Sequence, residues 1–426
     1  MQQLNRVAII GGTRIPFCRS NTAYAQLSNL DMLSDTLQQL VDKFALDGKK
    51  IDDVIAGAVT THSRDWNLAR EAVLSTTLSP ATPGTTLQMA CGTSLQAALL
   101  LAGRIASGQI ETAIAAGTDT TSDAPLVLQP RLSKRILKAS QAKTFSARLK
   151  AFKGFGLREL APQAPANGEP RTRLSMGQHC ELMAKQWGVT REEQDQWAME
   201  SHLKAAAAYE DGFFDSLLRS YHGVARDNNL RADSSIEKLS SLKPVFDRSA
   251  SGTLTAGNST PLTDGAAAVY MTSEAYALKH GLKVQAWLTQ GRTSAVDFVG
   301  GEGLLMAPTV AVSEMLSQAS LTLQDFDFYE IHEAFAAQVL CTLKAWESDQ
   351  YCREKLGLTQ ALGAIDRNRI NLKGSSLAVG HPFAATGARI LGTLGTLLET
   401  ETNKRGLISI CTAGGMGAAA ILESPN

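Results

Sequence analysis

The chain has 426 residues, of which 44% are hydrophobic, and its formal net charge at pH 7 is zero. A chain of this length exceeds one ordinary hydrophobic core, so two or three core units are expected. The charge balance argues against bulk attraction to nucleic acid or a membrane, and no uncharged apolar run is long enough to span a bilayer.

Strand-like and helix-like segments alternate from the start of the chain. Apolar runs at 7–12 and 53–60 predict strands, and apolar residues at helical spacing predict a helix over 33–46. The nearly all-apolar segment 93–109 predicts a buried helix, followed by a strand at 111–120. This alternation indicates an α/β fold. The opening residues are expected to enter a strand and not to form a signal peptide.

The C-terminal third repeats this plan. A strand, a turn and a helix are predicted over 326–340, a small-residue helix over 381–399, and a strand over 405–415. Cys91 and His381 each open a buried helix that a strand follows, which indicates an internal duplication. We therefore expect two similar α/β cores, the first formed by 1–124 plus 254–277 and the second by 278–426.

The segment 125–253 has a different composition and is expected to be an inserted loop domain. It is Pro-rich at 162–170 and predicts a polar helix over 191–212. Residues 131–160 carry nine Lys or Arg against one Glu, which predicts a basic amphipathic helix. That helix is either a solvated face or a surface for a partner chain, a membrane or a phosphate-bearing ligand.

Four short stretches place reactive side chains at turns, where α/β folds build their sites: Cys91, His332, His381 and Cys411. At a helix start the Cys91 thiolate would be stabilised, and His381 is the candidate base that would lower its pKa further. The alternatives are an inert buried thiol and a hydrogen-bonded core histidine.

Two other kinds of site are not supported by these stretches. The Gly-rich loop after Cys411 lacks the Gly-Lys-Ser/Thr of a phosphate-binding loop, so its N–H groups are expected to face an oxyanion. His332 has no second His at zinc-protease spacing, and we predict no metal site. The six Cys are scattered, which favours reduced thiols and a cytoplasmic enzyme.

Taken together, these stretches resemble the thiolases, a family of acyl-CoA C-acyltransferases. The resemblance covers the whole chain through TRIPF, the CGTS stretch, TAGNSTPLTDGAAAV, HEAF, GHPFAATGAR and the C-terminal CTAGG. It implies the thiolase fold, with two duplicated α-β-α-β-α cores and an inserted loop domain. HEAF, NSTPLTDG and the basic segment are similar to the β-subunit of the fatty-acid-oxidation trifunctional complex.

The resemblance implies a role for each reactive residue. Cys91 is the nucleophile that carries the acyl group, and His381 is its base and an oxyanion donor. Cys411 is the acid and base at C2 of the substrate. His332 is a further oxyanion donor, through a water in many members, and Ala413 contributes its backbone N–H.

Coenzyme A is implied as co-substrate, with no tightly bound cofactor. Met176 and Thr260 match positions that border it in the family, and Ser175 stands where many short-chain members have His. Phe335 is expected to shape the pocket wall or simply to fill the core. The resemblance also implies a homodimer or a dimer of dimers, and a hydratase/dehydrogenase α-subunit or a membrane as partner of 131–160.

The leading functional prediction is thiolytic cleavage of 3-ketoacyl-CoA in fatty-acid β-oxidation. The alternative is an acetoacetyl-CoA thiolase that condenses two acetyl-CoA, because it shares every catalytic residue. A non-catalytic acyl-CoA-binding protein of the same fold is a remote alternative, since both Cys and His381 are present.

Overall fold

A ten-stranded sheet forms the centre of the protein in the computed structural model, which describes residues 4–426. Its strands are labelled β1 to β10 in chain order: Val7–Arg14, Cys18–Arg19, Asp53–Gly57, Gly84–Thr86, Thr112–Asp119, Thr263–Ser273, Ala286–Ala295, Phe328–Ile331, Arg405–Thr412 and Met416–Glu423.

Helices cover the sheet and build the inserted segment. Those in the described part of the chain are labelled α1 to α14: Asn29–Lys43, Leu68–Leu74, Thr93–Ala106, Pro130–Gln141, Phe145–Ala151, Met176–Gln186, Arg191–Glu210, Ile236–Ser240, Glu274–Lys279, Ala307–Ala319, Ala336–Glu347, Asp349–Leu356, Ser376–Val379 and Thr386–Leu398. Short 3₁₀ turns lie at Ala90–Gly92, Leu157–Leu160, Phe213–Ser216, Arg367–Arg369 and Phe383–Ala385.

The strand order is β4-β3-β5-β6-β1-β7-β10-β9-β8, and β2 pairs with β6 beside this path. β1 and β7 run antiparallel and join the two parts of the sheet through the pairs Val7↔Leu288, Ala8↔Trp287 and Ile9↔Ala286. Every residue of β1 is buried, which matches a central strand.

The two parts of the sheet repeat one arrangement. β5 lies parallel to β3 and antiparallel to β6, and β9 lies parallel to β8 and antiparallel to β10. Helix α3 precedes β5 and helix α14 precedes β9, and both helices pack between the parts in one apolar cluster. The duplicated α/β architecture predicted from the sequence is present. The exact domain limits at 124, 254 and 277 remain a prediction.

Local sequence explains where the main helices begin. Ser28, Ser175 and Thr190 cap α1, α6 and α7, and in each case the side chain three residues later returns a bond to the cap. The predicted helices over 33–46, 93–109 and 191–212 and the predicted strands at 7–12, 53–60 and 405–415 are confirmed with shifted ends.

Two helix predictions are wrong in detail. The basic segment 131–160 is not one helix, because α4 ends at Gln141 and Thr144 caps the separate helix α5. The helix predicted from 381 begins only at Thr386, since the preceding residues form a 3₁₀ turn after Pro382. Over residues 4–426, none of the helices is both long enough and apolar enough to cross a bilayer.

Candidate active site

Cys91 and His381 meet at the starts of the two central helices. Cys91 Sγ lies 3.1 Å from His381 Nε2, and the two residues are 8% and 4% exposed. Cys91 sits in the 3₁₀ turn before α3, directly after Ala90, whose φ of 44° is uncommon for a residue with a side chain. Strain of this kind concentrates at functional sites.

The helix starts are held together by one hydroxyl and one glycine. Ser94 Oγ donates to the carbonyl of Ala384 and accepts from the Ala388 N–H at 2.8 Å. A Cβ on Gly387 would lie 2.3 Å from the backbone nitrogen of Leu95, so only glycine permits this approach. The contact fixes the distance between the thiol and the imidazole.

His381 is positioned through its backbone and through its ring. Its backbone N–H donates to Thr263 Oγ1 at 2.7 Å, and its Nδ1 lies 2.6 Å from Thr386 Oγ1. Nε2 is thereby directed at the sulfur of Cys91. This is the geometry of a nucleophile with its base.

His332 adds a second imidazole to the pair. It follows β8, its ring centroid lies 4.2 Å from that of His381, and its Nδ1 lies 2.8 Å from Ser376 Oγ. One nitrogen from each ring and the Cys91 sulfur all lie within 4.8 Å of one another. Such a set also suits Zn²⁺, so the predicted absence of a metal stays a prediction.

Glu333, the next residue, anchors His332 from behind. Its buried carboxylate accepts from Trp197 Nε1 at 3.0 Å, Ser201 Oγ at 2.7 Å and Asn371 Nδ2 at 2.8 Å. Trp197 and Ser201 belong to α7 of the inserted segment, so this carboxylate ties that segment to the site. None of these three bonds involves the His332 side chain.

Burial is the largest influence on the protonation states of Cys91 and His381. Burial raises the pKa of Cys91 to about 12, and nearby Asp119 adds to the rise, although the N–H groups of Ala413 and Cys91 oppose it. Burial, with Arg389, lowers the pKa of His381 to about 3. Both directions oppose the low-pKa thiolate expected from the sequence, because burial disfavours the charged form of each group.

The second thiol lies at the end of β9. Cys411 is 1% exposed, and its pKa is raised well above the usual value by burial and by the neighbouring Cys91. The loop after it turns through Gly414, whose N–H donates to Glu169 Oε1 at 2.9 Å. An inserted-segment residue thus holds the Gly-rich loop beside both thiols.

The four residues predicted to border coenzyme A lie around the inserted segment. Thr260 donates through its N–H and its hydroxyl to the Ala334 carbonyl, and Phe335 packs edge-on against Phe246 at 5.8 Å. Met176 packs against the same apolar cluster as Phe335. Ser175 uses its hydroxyl to cap α6.

Sequence reasoning missed the residues that support the site. Arg389, Ser376, Thr386 and Asp119 are buried and hydrogen-bonded behind the two histidines and the helix starts. A usable signal existed for one of them, because Arg389 is the only charged residue in the otherwise small and apolar segment of α14.

With this geometry established, comparison with known proteins identifies the class. The family model for the thiolase N-terminal domain matches residues 7–275, and that for the C-terminal domain matches residues 282–424. Thiolases are acyltransferases. The chain belongs to the thiolase family.

Relatives of full length are similar to this chain. A 3-ketoacyl-CoA thiolase of Yersinia enterocolitica is 40% identical, covering 99% of this chain and 98% of its own. A Bacillus anthracis acetyl-CoA acetyltransferase has a TM-score of 0.82 at 28% identity, covering 99% and 100%. A human mitochondrial 3-ketoacyl-CoA thiolase solved with CoA has a TM-score of 0.82 at 25% identity, covering 100% of both chains.

Proposed function

We propose that this enzyme is a 3-ketoacyl-CoA thiolase that releases acetyl-CoA and passes the shortened acyl group to coenzyme A. The observation that carries the proposal is the 3.1 Å contact between Cys91 Sγ and His381 Nε2 at two interlocked helix starts. The full-length relative from Yersinia enterocolitica, which is named for this activity, supports the choice of substrate class.

In the first half-reaction His381 Nε2 takes the thiol proton as Cys91 Sγ attacks the 3-keto carbon. The C2–C3 bond then breaks, leaving the acyl group as a thioester on Cys91 and the enolate of acetyl-CoA. The Cys411 thiol gives its proton to C2. In the second half-reaction coenzyme A attacks the thioester and frees Cys91.

The resting pair is neutral, and this shapes the first step. With the Cys91 pKa near 12 and the His381 pKa near 3, a thiolate–imidazolium pair is strongly disfavoured before substrate binds. Proton transfer therefore accompanies the attack, when negative charge moves from sulfur to the substrate oxygen. Donors aimed at that oxygen carry much of the catalysis.

Donors for both oxyanions surround the pair. The backbone N–H groups of Cys91 and Ala413 point toward the thiol sulfur, where they lower the pKa of Cys91. We assign them as hydrogen-bond donors to the oxyanion of the tetrahedral intermediate. His332 and His381 suit the enolate oxygen, since their rings pack against each other and each has a nitrogen within 4.8 Å of the Cys91 sulfur. Removal of one such donor typically raises the barrier by roughly 3 kcal/mol.

Coenzyme A enters this proposal as a co-substrate and not as a tightly held cofactor. Thiolases from human mitochondria and from Ascaris suum have been solved with CoA, at 25% identity to this chain. We assign Ser175, Met176, Thr260 and Phe335 to the border of its site, as predicted, with Phe335 closing the wall against Phe246.

An acetoacetyl-CoA thiolase is the second candidate. It is favoured by the likeness to the Bacillus anthracis acetyl-CoA acetyltransferase, which matches at the same TM-score of 0.82. A binding protein without activity is disfavoured because the thiol and imidazole are in contact.

The test is a thiolysis assay that compares acetoacetyl-CoA with a 3-ketoacyl-CoA of about ten carbons. We expect kcat/KM to favour the longer substrate, with Cys91→Ala inactive on both. Preference for acetoacetyl-CoA would move the enzyme to the second candidate. A folded protein inactive on both would leave only the binding-protein hypothesis.

We also propose a docking role for the basic segment 131–160. Its apolar side chains are exposed, with Leu137, Phe145 and Leu157 at 57%, 75% and 80%, beside the basic residues of α4 and α5. Exposed apolar patches of this kind mark interaction sites. The proposed partner of this segment is a hydratase/dehydrogenase α-subunit or a membrane. We also propose that the enzyme itself is a homodimer or a dimer of dimers.

Replacing Lys134, Lys138 and Lys150 by Gln tests which of these two partners the segment binds. We expect weaker binding to whichever partner is used, measured against purified α-subunit and against anionic lipid vesicles. Thiolysis of a soluble substrate should not change. Unaltered binding to both would leave the segment as a solvated face.

All six Cys are unpaired, which supports the predicted cytoplasmic location.

A further inference from the structure

A buried chain of side chains leads from α14 to the His332 ring. Arg389 Nη2 donates to Ser376 Oγ at 2.8 Å, and Ser376 Oγ lies 2.8 Å from His332 Nδ1. His332 and Ser376 are fully buried, and Arg389 is 4% exposed. No other side-chain bond engages Ser376 Oγ within residues 4–426.

The donors and acceptors in this chain can be counted. A guanidinium only donates, so Ser376 Oγ must accept from Arg389. The one hydroxyl hydrogen of Ser376 then has a single acceptor within reach, His332 Nδ1. If Nδ1 carried the proton instead, that hydroxyl hydrogen would be buried without a partner, at a cost of about 1–3 kcal/mol.

We propose that Arg389, acting through Ser376, holds His332 in the tautomer whose proton is on Nε2, so that this ring donates at the reacting centre. The catalytic value of this assignment rests on the proposed thiolase function, but the tautomer itself does not. Arg389 and Ser376 are positioning residues, because neither faces the Cys91 sulfur directly.

The free end of the His332 ring supports the assignment. Nε2 is buried and has no hydrogen-bond partner among the described residues. It belongs to a ring that faces His381 at 4.2 Å between centroids, on the side where a substrate oxygen would arrive. A donor left open at this place is complementary to an oxyanion and can bind it directly or through water.

The neighbouring charges keep both rings neutral and Arg389 charged. Burial, His381 and Arg389 hold the pKa of His332 well below its usual value. Burial also lowers the pKa of Arg389, to about 10, while Glu330 and Glu333 oppose the fall. At neutral pH the guanidinium is therefore still a cation and a donor.

The experiment is long-range ¹H–¹⁵N correlation NMR on the full chain labelled at its histidines. The Nδ1 and Nε2 shifts distinguish the tautomers, and His332→Gln identifies the resonance by its loss. We expect Nε2–H for His332 in the wild type at pH 7. An Nδ1–H tautomer would overturn the proposal, whether or not the enzyme shows thiolysis.

Ser376 variants supply the kinetic arm. Ser376→Ala should mix the two tautomers and lower kcat by about ten- to hundredfold with KM nearly unchanged, as loss of an outer-shell hydrogen bond does. Ser376→Thr keeps the hydroxyl and should restore both the spectrum and the rate. If Ser376→Ala retained the Nε2–H spectrum, Arg389 and Ser376 would not set the tautomer.

Failure of this inference and failure of the proposed function have different signatures. A wild-type spectrum with Nε2–H on His332, which becomes a mixture of tautomers in Ser376→Ala, supports the inference even if neither ketoacyl substrate is cleaved. A chain that cleaves ketoacyl-CoA but shows Nδ1–H keeps its function and loses the positioning role of Arg389.

Discussion

The two halves of the sheet use corresponding strands for different purposes. β5 ends at Asp119, whose carboxylate accepts from the N–H groups of Thr60 at 2.8 Å and Ala384 at 2.9 Å. β9 occupies the same place in the second half but ends in Cys411 and a Gly-rich loop. One copy holds loops in position and the other presents a reactive thiol.

The helix starts show the same division. α3 begins beside the nucleophile, and α14 begins beside the imidazole that contacts it. Each group is buried by the other half, so neither half alone forms the pair. A duplicated scaffold can specialise in this way because the second copy supplies the framework that the first copy leaves open.

The largest test of this division is removal of the nucleophile. Cys91→Ala should reduce thiolysis by roughly 10⁴-fold or more, since the thioester can no longer form, while the melting temperature changes little. The matched control is Cys352→Ala, which removes another buried thiol, one whose Sγ donates to the carbonyls of Ala345 and Trp346. Turnover at a tenth of the wild-type rate would contradict the assignment.

The acid stability of the pair tests its neutral resting state. His381 is neutral when folded, with a pKa near 3, and titrates near 6.5 when unfolded. The unfolded chain therefore binds more protons as the pH falls below 6.5, and the folded state loses stability. Relative to His381→Asn, the wild type should lose about 2 kcal/mol between pH 6.5 and 4.5, by urea unfolding. Parallel curves would contradict a buried neutral ring.

The contact between the halves can be weakened at its closest point. Gly387→Ala places a Cβ 2.3 Å from the Leu95 nitrogen, so α14 must shift from α3. We expect a loss of about 1–3 kcal/mol in unfolding free energy and lower kcat, as the thiol and imidazole separate.

Gly103→Ala is the control for that change. It adds the same methyl group to α3, but nothing lies within 4 Å of the new Cβ. A gain of up to about 1 kcal/mol is expected from helix propensity. Equal effects at the two glycines would remove the role assigned to the helix contact.

The smallest expected effect concerns the bond between the halves and the inserted segment. Glu169→Gln replaces a charged acceptor of the Gly414 N–H by a neutral one, which should cost about 1 kcal/mol or less. A modest fall in kcat with an unchanged fold is expected from steady-state assays. An unchanged kcat would show that this carboxylate does not hold the loop during turnover.

The reactive residues were predictable because each stands in a local pattern. Cys91 and His381 each precede a buried apolar helix, and the sequence pattern predicts that helix and the turn before it. The resting pKa values were not predictable. They depend on burial in the folded protein, which no local pattern reports and which raises the pKa of the Cys91 thiol.

The supporting residues were harder to find because their partners are distant along the chain or lie across an element. Asp119 accepts a hydrogen bond from the N–H of Ala384, which belongs to the other half of the protein. Ser376 contacts His332, which follows β8 and lies 44 residues earlier in the chain. Arg389 was the exception. A lone cation in an apolar helix is costly unless it is paired, so its place there was itself a sign of a buried network.

The pairing of β1 with β6 and β7 at the centre of the sheet has a consequence for synthesis of the chain. β1 is the first strand to be made, yet both of its neighbours, β6 and β7, begin only at Thr263 and Ala286. At about 5–20 residues per second, the ribosome leaves β1 without a partner for tens of seconds. The nascent chain therefore carries an apolar strand with two unpaired edges for most of its translation. Such a strand is prone to aggregate, and chaperones protect nascent chains in this state.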